Sequence, residues 1–224
     1  MLLRLASIAY LTASINAYEL VDPEGGELPP FEAGAHITVE FGGALRDYSL
    51  WTDPSERRHY GIAVLREAQG ALSRQIHDEL RVGSLIRTSV PRNFFPLAPD
   101  AQRHLLIAGG IGITPIMAMI AELRRRRAKF LLHYCTRSPE ETAFLDDLSL
   151  LAALGHVQFH HDGGDPARGL DIAATLRDYT PGTHLYYCGP SGLMTAARTA
   201  SAHWPADSIH CEHFKGAGAA RPEL

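Results

Sequence analysis

The stretch His104-Leu105-Leu106-Ile107-Ala108-Gly109-Gly110-Ile111-Gly112-Ile113-Thr114-Pro115 decides the fold. An apolar run of strand length enters a glycine loop, and an amphipathic segment from about Pro115 to Arg126 leaves it. Glycine tolerates positive φ and lets another group approach the backbone. A helix N-terminus offers unpaired N–H groups and the positive end of its dipole. Pro115 suits a first helical turn, and Thr114 is placed to cap that helix or to touch a ligand. The spacing is neither G-x-G-x-x-G nor a P-loop with its lysine. Taken alone, a tight structural turn accounts for the loop as well as a phosphate site does. A second element shifts the balance, because Cys188-Gly189-Pro190-Ser191-Gly192 also follows an apolar run and opens a helical one. In an open parallel sheet both loops lie at the carboxyl ends of strands, where ligands bind.

Around these loops, strand-like and helix-like segments alternate, at residues 129–135, 139–154, 156–160, 170–178, 183–188, 190–203 and 208–214. Such alternation predicts a doubly wound parallel sheet. Upstream the pattern is different. Short β-rich segments at 3–8, 36–41, 45–51, 59–67 and 85–90 are divided by turns such as Pro23-Glu24-Gly25-Gly26, Pro29-Pro30, Gly42-Gly43 and Asp53-Pro54. One helical stretch sets Leu72, Ile76 and Leu80 on a single face. A small antiparallel barrel fits this half. The expected fold class is therefore β + α/β: a β-barrel domain over 1–99, a parallel-sheet domain over 100–214, and a tail or linker over 215–224.

A net charge of -4 supplies no electrostatic attraction for nucleic acid or an anionic membrane, and neither is expected as a partner. No apolar run approaches the roughly 18 residues of a bilayer span, and the N-terminus lacks the parts of a secretion signal. The 3 cysteines form no C-x-x-C pair, which argues against a disulfide framework, a cysteine-held zinc or a cluster, and no metal is expected. A reducing, cytoplasmic setting follows. His160-His161 reads as a strand end running into the Gly163-Gly164 turn, since neighbours on a strand face opposite ways. The arginine run 124–127 reads as a solvated helix end, with docking of an acidic electron carrier as the alternative.

Further motifs occur in order along nearly the whole chain. They are Arg46-Asp47-Tyr48-Ser49-Leu50, Tyr60-Gly61-Ile62-Ala63-Val64-Leu65-Arg66-Glu67, the segment 72–77 with Asp78, Arg81-Val82-Gly83, Pro91-Arg92-Asn93-Phe94-Phe95 and Thr136-Arg137-Ser138. With the two loops they make the chain resemble the ferredoxin reductase-like flavoproteins, in the branch of phthalate dioxygenase reductase and vanillate demethylase reductase. The resemblance implies that Arg46 forks onto an FMN phosphate. It places Tyr48 against the isoalloxazine, Ser49 at the flavin's reactive edge, Ala63 and Val64 in backbone contact with it, and Ser73 at its phosphate. It assigns Gly110, Gly112, Thr114, Pro115, Gly189 and Pro190 to the dinucleotide, and Thr136 with Arg137 to the adenosine ribose. It also implies that Cys188 stands near nicotinamide C4 and that the ring of Phe214, from Glu212-His213-Phe214, lies by the flavin. Ser49 and Cys188 are the catalytic candidates.

Each residue also has a plainer reading: a surface ion pair for Arg46, core packing for Tyr48, an N-cap for Ser73, a buried thiol for Cys188 and a last core strand for Phe214. One departure stands out. Ala71-Leu72-Ser73 occupies a helix start where the family has Gly-Gly-Ser, and the lost glycines restrict how the backbone wraps a phosphate. The implied activity is transfer of electrons from NADH through FMN to a [2Fe–2S] ferredoxin and a terminal oxygenase or demethylase. FMN is expected rather than FAD, and NADH rather than NADPH because no basic cluster marks a 2′-phosphate site. An FAD enzyme and a non-catalytic nucleotide-binding subunit are the alternatives. The C-x₄-C-x₂-C run of a plant-type ferredoxin is absent, so that domain is expected to be removed or separate.

Overall fold

A computed structural model describes residues 1–214, so the expected tail or linker at 215–224 lies outside the described residues. The first half holds strands β1 (Leu2–Thr12), β2 (Ile15–Val21), β3 (Ala35–Phe41), β4 (Ala44–Ser49), β5 (His59–Leu65), helix α1 (Ala71–Glu79), β6 (Leu85–Thr88) and β7 (Arg92–Asn93). These strands form one antiparallel sheet in the order β4-β3-β6-β1-β2-β5, with β7 beside β3. Its ends curl together, and Trp51 N donates to Gly61 O at 3.0 Å, which gives the barrel shape. Leu72, Ile76 and Leu80 of the α1 segment are all buried in the barrel core, as their spacing requires.

β2 was not anticipated. Its turn, Ala13-Ser14, carries no Gly, Pro or Asn to mark a hairpin, although Ile15, Ala17, Tyr18 and Leu20 are buried.

The second half runs β8 (Arg103–Gly109), α2 (Ile113–Arg125), β9 (Lys129–Thr136), α3 (Leu145–Ala153), β10 (Val157–His161), α4 (Ile172–Thr175), β11 (Thr183–Cys188), α5 (Ser191–Ala200) and β12 (Ile209–Glu212). All pairs in this five-stranded sheet are parallel, in the order β10-β9-β8-β11-β12. The chain moves outward from β8 in one direction and from β11 in the other, so the switch point falls between these two strands.

Strand alternation gives each face its helices. Leu106 and Ala108 pack with Ile113, Ile116 and Met119 of α2, whereas Ile107, Leu185 and Tyr187 meet Met194 and Ala197 of α5. The first of these clusters also contains Ile15 and Ala63 of the barrel, so both sheets share a core. Each fully buried Leu or Ile there contributes roughly 2 kcal/mol.

The helix expected over 139–154 is broken. A 3₁₀ turn, Pro139–Glu141, precedes α3, because Phe144 adopts φ 59° and seats its ring 5.1 Å from that of Trp51. No helix among the described residues is long and apolar enough to cross a membrane.

Candidate functional site

The loops after β8 and β11 touch through backbone. A Cβ on Gly112 would lie 2.3 Å from the Cys188 carbonyl oxygen, and one on Gly189 would lie 3.0 Å from Gly109 Cα. Gly109 has no more room, since its Cβ would meet Pro190 Cδ at 2.7 Å. These glycines are required by loop-on-loop packing. Gly110 alone adopts positive φ, 51°, and a Cβ there would meet nothing within 4 Å, so its open side is where a ligand has room. Tyr134 donates its hydroxyl to Gly110 O at 3.2 Å and fixes the loop. Thr114 lies inside α2 instead of capping it and donates to Ile111 O at 3.1 Å, while Pro115 completes the buried first turn.

A long-range hydrogen bond ties the barrel to this corner. Ser49, at the end of β4, is buried and donates to Glu212 Oε2 at 3.0 Å across 163 residues of sequence. Glu212 ends β12 and pairs in register with Cys188 at the end of β11. Burial pushes the Glu212 carboxyl up to about 7, against the Ser49 bond that lowers it. Burial, reinforced by the Glu212 charge, also raises the Cys188 thiol, which stays protonated and packs in the core. Phe214 lies just beyond, 41% exposed.

On the barrel's own side, the half-buried Arg46 spends Nη1 on Leu45 O at 2.8 Å and forms no ion pair among the described residues. Burial keeps the Tyr48 hydroxyl protonated. The side chains of Ala63 and Val64 belong to the two hydrophobic cores, so only their backbone could face a ligand. Helix α1 starts at Gly70 with no side-chain cap, which leaves the N–H groups of its first turn open to an anion. Ser73 turns its hydroxyl back, donating to Gly70 O at 3.1 Å and accepting from Glu67 N at 3.2 Å. Leu72 points into the core with 6% exposure. The lost glycine is therefore exchanged for packing.

At the far end of the cleft, Thr136 is buried and its hydroxyl is engaged with Thr142 at 2.7 Å and His161 at 3.0 Å. Arg137 beside it is exposed. His160 faces the other way and contacts His133, as strand alternation requires. The arginine run is only partly solvated, since Arg125 and Arg126 both grip the buried Glu122. Among the described residues no group of three or more His, Cys, Asp or Glu converges as a metal site.

Comparison with known proteins gives this geometry a family. Residues 106–199 match the oxidoreductase NAD-binding domain. The tert-butanol monooxygenase / tert-amyl alcohol desaturase reductase subunit of Aquincola tertiaricarbonis is 51% identical over 96% of the chain and 64% of its own length. The vanillate O-demethylase oxidoreductase of a Pseudomonas strain is 42% identical over 95% of the chain and 68% of its own length. A solved phthalate dioxygenase reductase superimposes with a TM-score of 0.93 at 41% identity, over 98% of the chain and 69% of that structure. The chain belongs to the phthalate dioxygenase reductase and vanillate demethylase reductase family. It spans 64% of its tert-butanol monooxygenase relative and 68% of its vanillate relative.

Within this reductase family's frame, three residues matter that were not among the candidate site residues. Glu212 was visible only as a neighbour of Phe214, and its contact with Ser49 comes from tertiary folding. Tyr134 had the look of any strand aromatic. His36 stands opposite Ser49 in the β3–β4 register and puts Nδ1 4.0 Å from Glu212 Oε1. No local pattern marked it.

Proposed function

We propose that the chain is the flavin and nicotinamide portion of an NADH-dependent oxygenase reductase, moving electrons from NADH through FMN to a [2Fe–2S] partner and a terminal oxygenase or demethylase. The Ser49–Glu212 hydrogen bond beside Cys188 carries the reading, because it joins a barrel strand end to the switch point of the parallel sheet. Residues 1–99 would hold the flavin and 100–214 the dinucleotide.

The residues present fit FMN. The unpaired guanidinium of Arg46 and the uncapped first turn of α1 suit its phosphate, and Tyr48 and Ser49 suit its ring. NADH would lie over the open side of Gly110 with its nicotinamide toward Cys188 and its ribose toward Arg137. FMN, when bound, supplies the conversion of a hydride into electrons delivered one at a time. The chain's own share is to align the two rings, to close the joint with Ser49, Glu212 and Cys188, and to hold a proton at the Glu212 carboxyl. Three free cysteines suit a reducing, cytoplasmic setting.

Mass analysis of the released flavin, with reduction of an added plant-type [2Fe–2S] ferredoxin by NADH, tests the proposal. FMN and NADH-dependent ferredoxin reduction are expected. FAD would correct the cofactor, and binding of NADH by a chain that takes no flavin would replace the proposal with a non-catalytic subunit.

A further inference from the structure

One buried polar group of the barrel stands unpartnered at the joint, beside the Glu212 carboxyl. His36 Nδ1 is buried without a hydrogen bond. The nearest carboxyl oxygen is Glu212 Oε1 at 4.0 Å, while Oε2 of the same group accepts from Ser49. Phe94 covers the imidazole, with ring centres 5.5 Å apart. An unpartnered nitrogen in such a place is costly unless a donor or acceptor moves in.

We propose that His36 is the positioning residue of Glu212 and that the two hold one exchangeable proton between them, an inference that rests on reading Ser49 as the flavin-side contact. With the carboxyl protonated, its O–H faces Nδ1 and the other oxygen keeps the Ser49 bond. With the carboxyl ionised, His36 adopts the tautomer bearing hydrogen on Nδ1 and donates it to Oε1. One proton leaves the pair between the two states, and the imidazole is neutral in both.

The surroundings agree. Burial lowers the His36 pKa, the Asp47 charge on β4 works against it, and the Arg92 charge on β7 works with it. Burial raises the Glu212 carboxyl to about 7, Asp47 adds to this, and Cys188 on β11 is a neutral thiol. Oxidation of NADH to NAD⁺ releases two electrons and one proton, and an electron carrier takes only the electrons. One proton per NADH therefore has to leave this closed joint. The Glu212 carboxylate takes it up, and the pair then gives it to water past the exposed Phe94 ring.

Nitrogen NMR of the His36 ring in the wild-type chain, with and without FMN, tests the pair directly. The expected result is a change of tautomer, without a charged ring, at the same midpoint as the Glu212 carboxyl carbon. His36→Phe should raise that midpoint by about one pH unit, the worth of a lost hydrogen bond to a charge. The limb over which turnover rises with pH should move upward with it, and His36→Gln should return both toward wild type. A His36 signal that stays flat while Glu212 titrates overturns the pairing, as does an unchanged carboxyl midpoint in His36→Phe. Should His36→Phe fail to fold, the wild-type spectra and His36→Gln decide. If the pair titrates together but NADH leaves bound FMN oxidised, the functional reading fails and the pair stands.

Discussion

The glycine loops at the switch point and the start of helix α1 both look like phosphate cradles in sequence, yet they are built by opposite means. Gly112 and Gly189 are consumed by backbone contact between two loops, Gly109 is closed off by the Pro190 and Leu193 side chains, and Gly110 leaves open space on the positive-φ side of the loop. The α1 start has given up glycine, buries Leu72 and leaves its first-turn N–H groups uncapped. The first region is shaped without any ligand. The second is held by the barrel core and has no side-chain cap. Substitutions in the first should therefore damage the fold, and those in the second should separate binding from stability.

The strongest test of that contrast is Gly112→Ala. Gly112 has φ −62°, which alanine adopts freely, so the only cost is a Cβ placed 2.3 Å from the Cys188 carbonyl oxygen. Backbone on both sides cannot yield, and urea unfolding should show a loss of about 3–4 kcal/mol. An unperturbed transition would mean that the loops do not touch. Leu72→Gly comes next. Restoring the family's residue should remove about 3 kcal/mol of stability by emptying a core position, without tightening FMN. Tighter FMN binding would show that Leu72 shapes the phosphate site after all.

Arg46→Ala should reverse the pattern. Its unfolding midpoint should stay close to wild type, while FMN fluorescence titration should show Kd raised about thirtyfold, the equivalent of about 2 kcal/mol for a charge-assisted pair. A large stability loss with unchanged FMN affinity would make Arg46 structural. Ser73→Ala is the mildest, costing about 1 kcal/mol through its two bonds to the 67–70 turn. A loss of FMN affinity exceeding that of Arg46→Ala would return Ser73 to the phosphate.

What the sequence disclosed follows the same division. The parallel sheet was legible because apolar strands, glycine loops and helices alternate locally, and β8, β9 and β11 lie where their apolar runs put them. In the barrel, β2 escaped because Ala13-Ser14 is an unmarked turn, and the 139–154 helix was overdrawn because the left-handed Phe144 has no residue-type signature. The site was legible as two ends without their joint. Ser49 and Cys188 stood out in their motifs, whereas the Ser49–Glu212 bond spans 163 residues and depends on how two sheets meet. His36 is set by strand register and burial, and neither leaves a local trace.

The most direct measurement is anaerobic mixing of the FMN-loaded chain with NADH carrying deuterium at nicotinamide C4. If the loops and the Ser49–Glu212 joint bring nicotinamide against flavin, the flavin absorbance bleaches without any further protein, one FMN per NADH, with a primary isotope effect on the rate. Flavin that stays oxidised under saturating NADH would contradict the account.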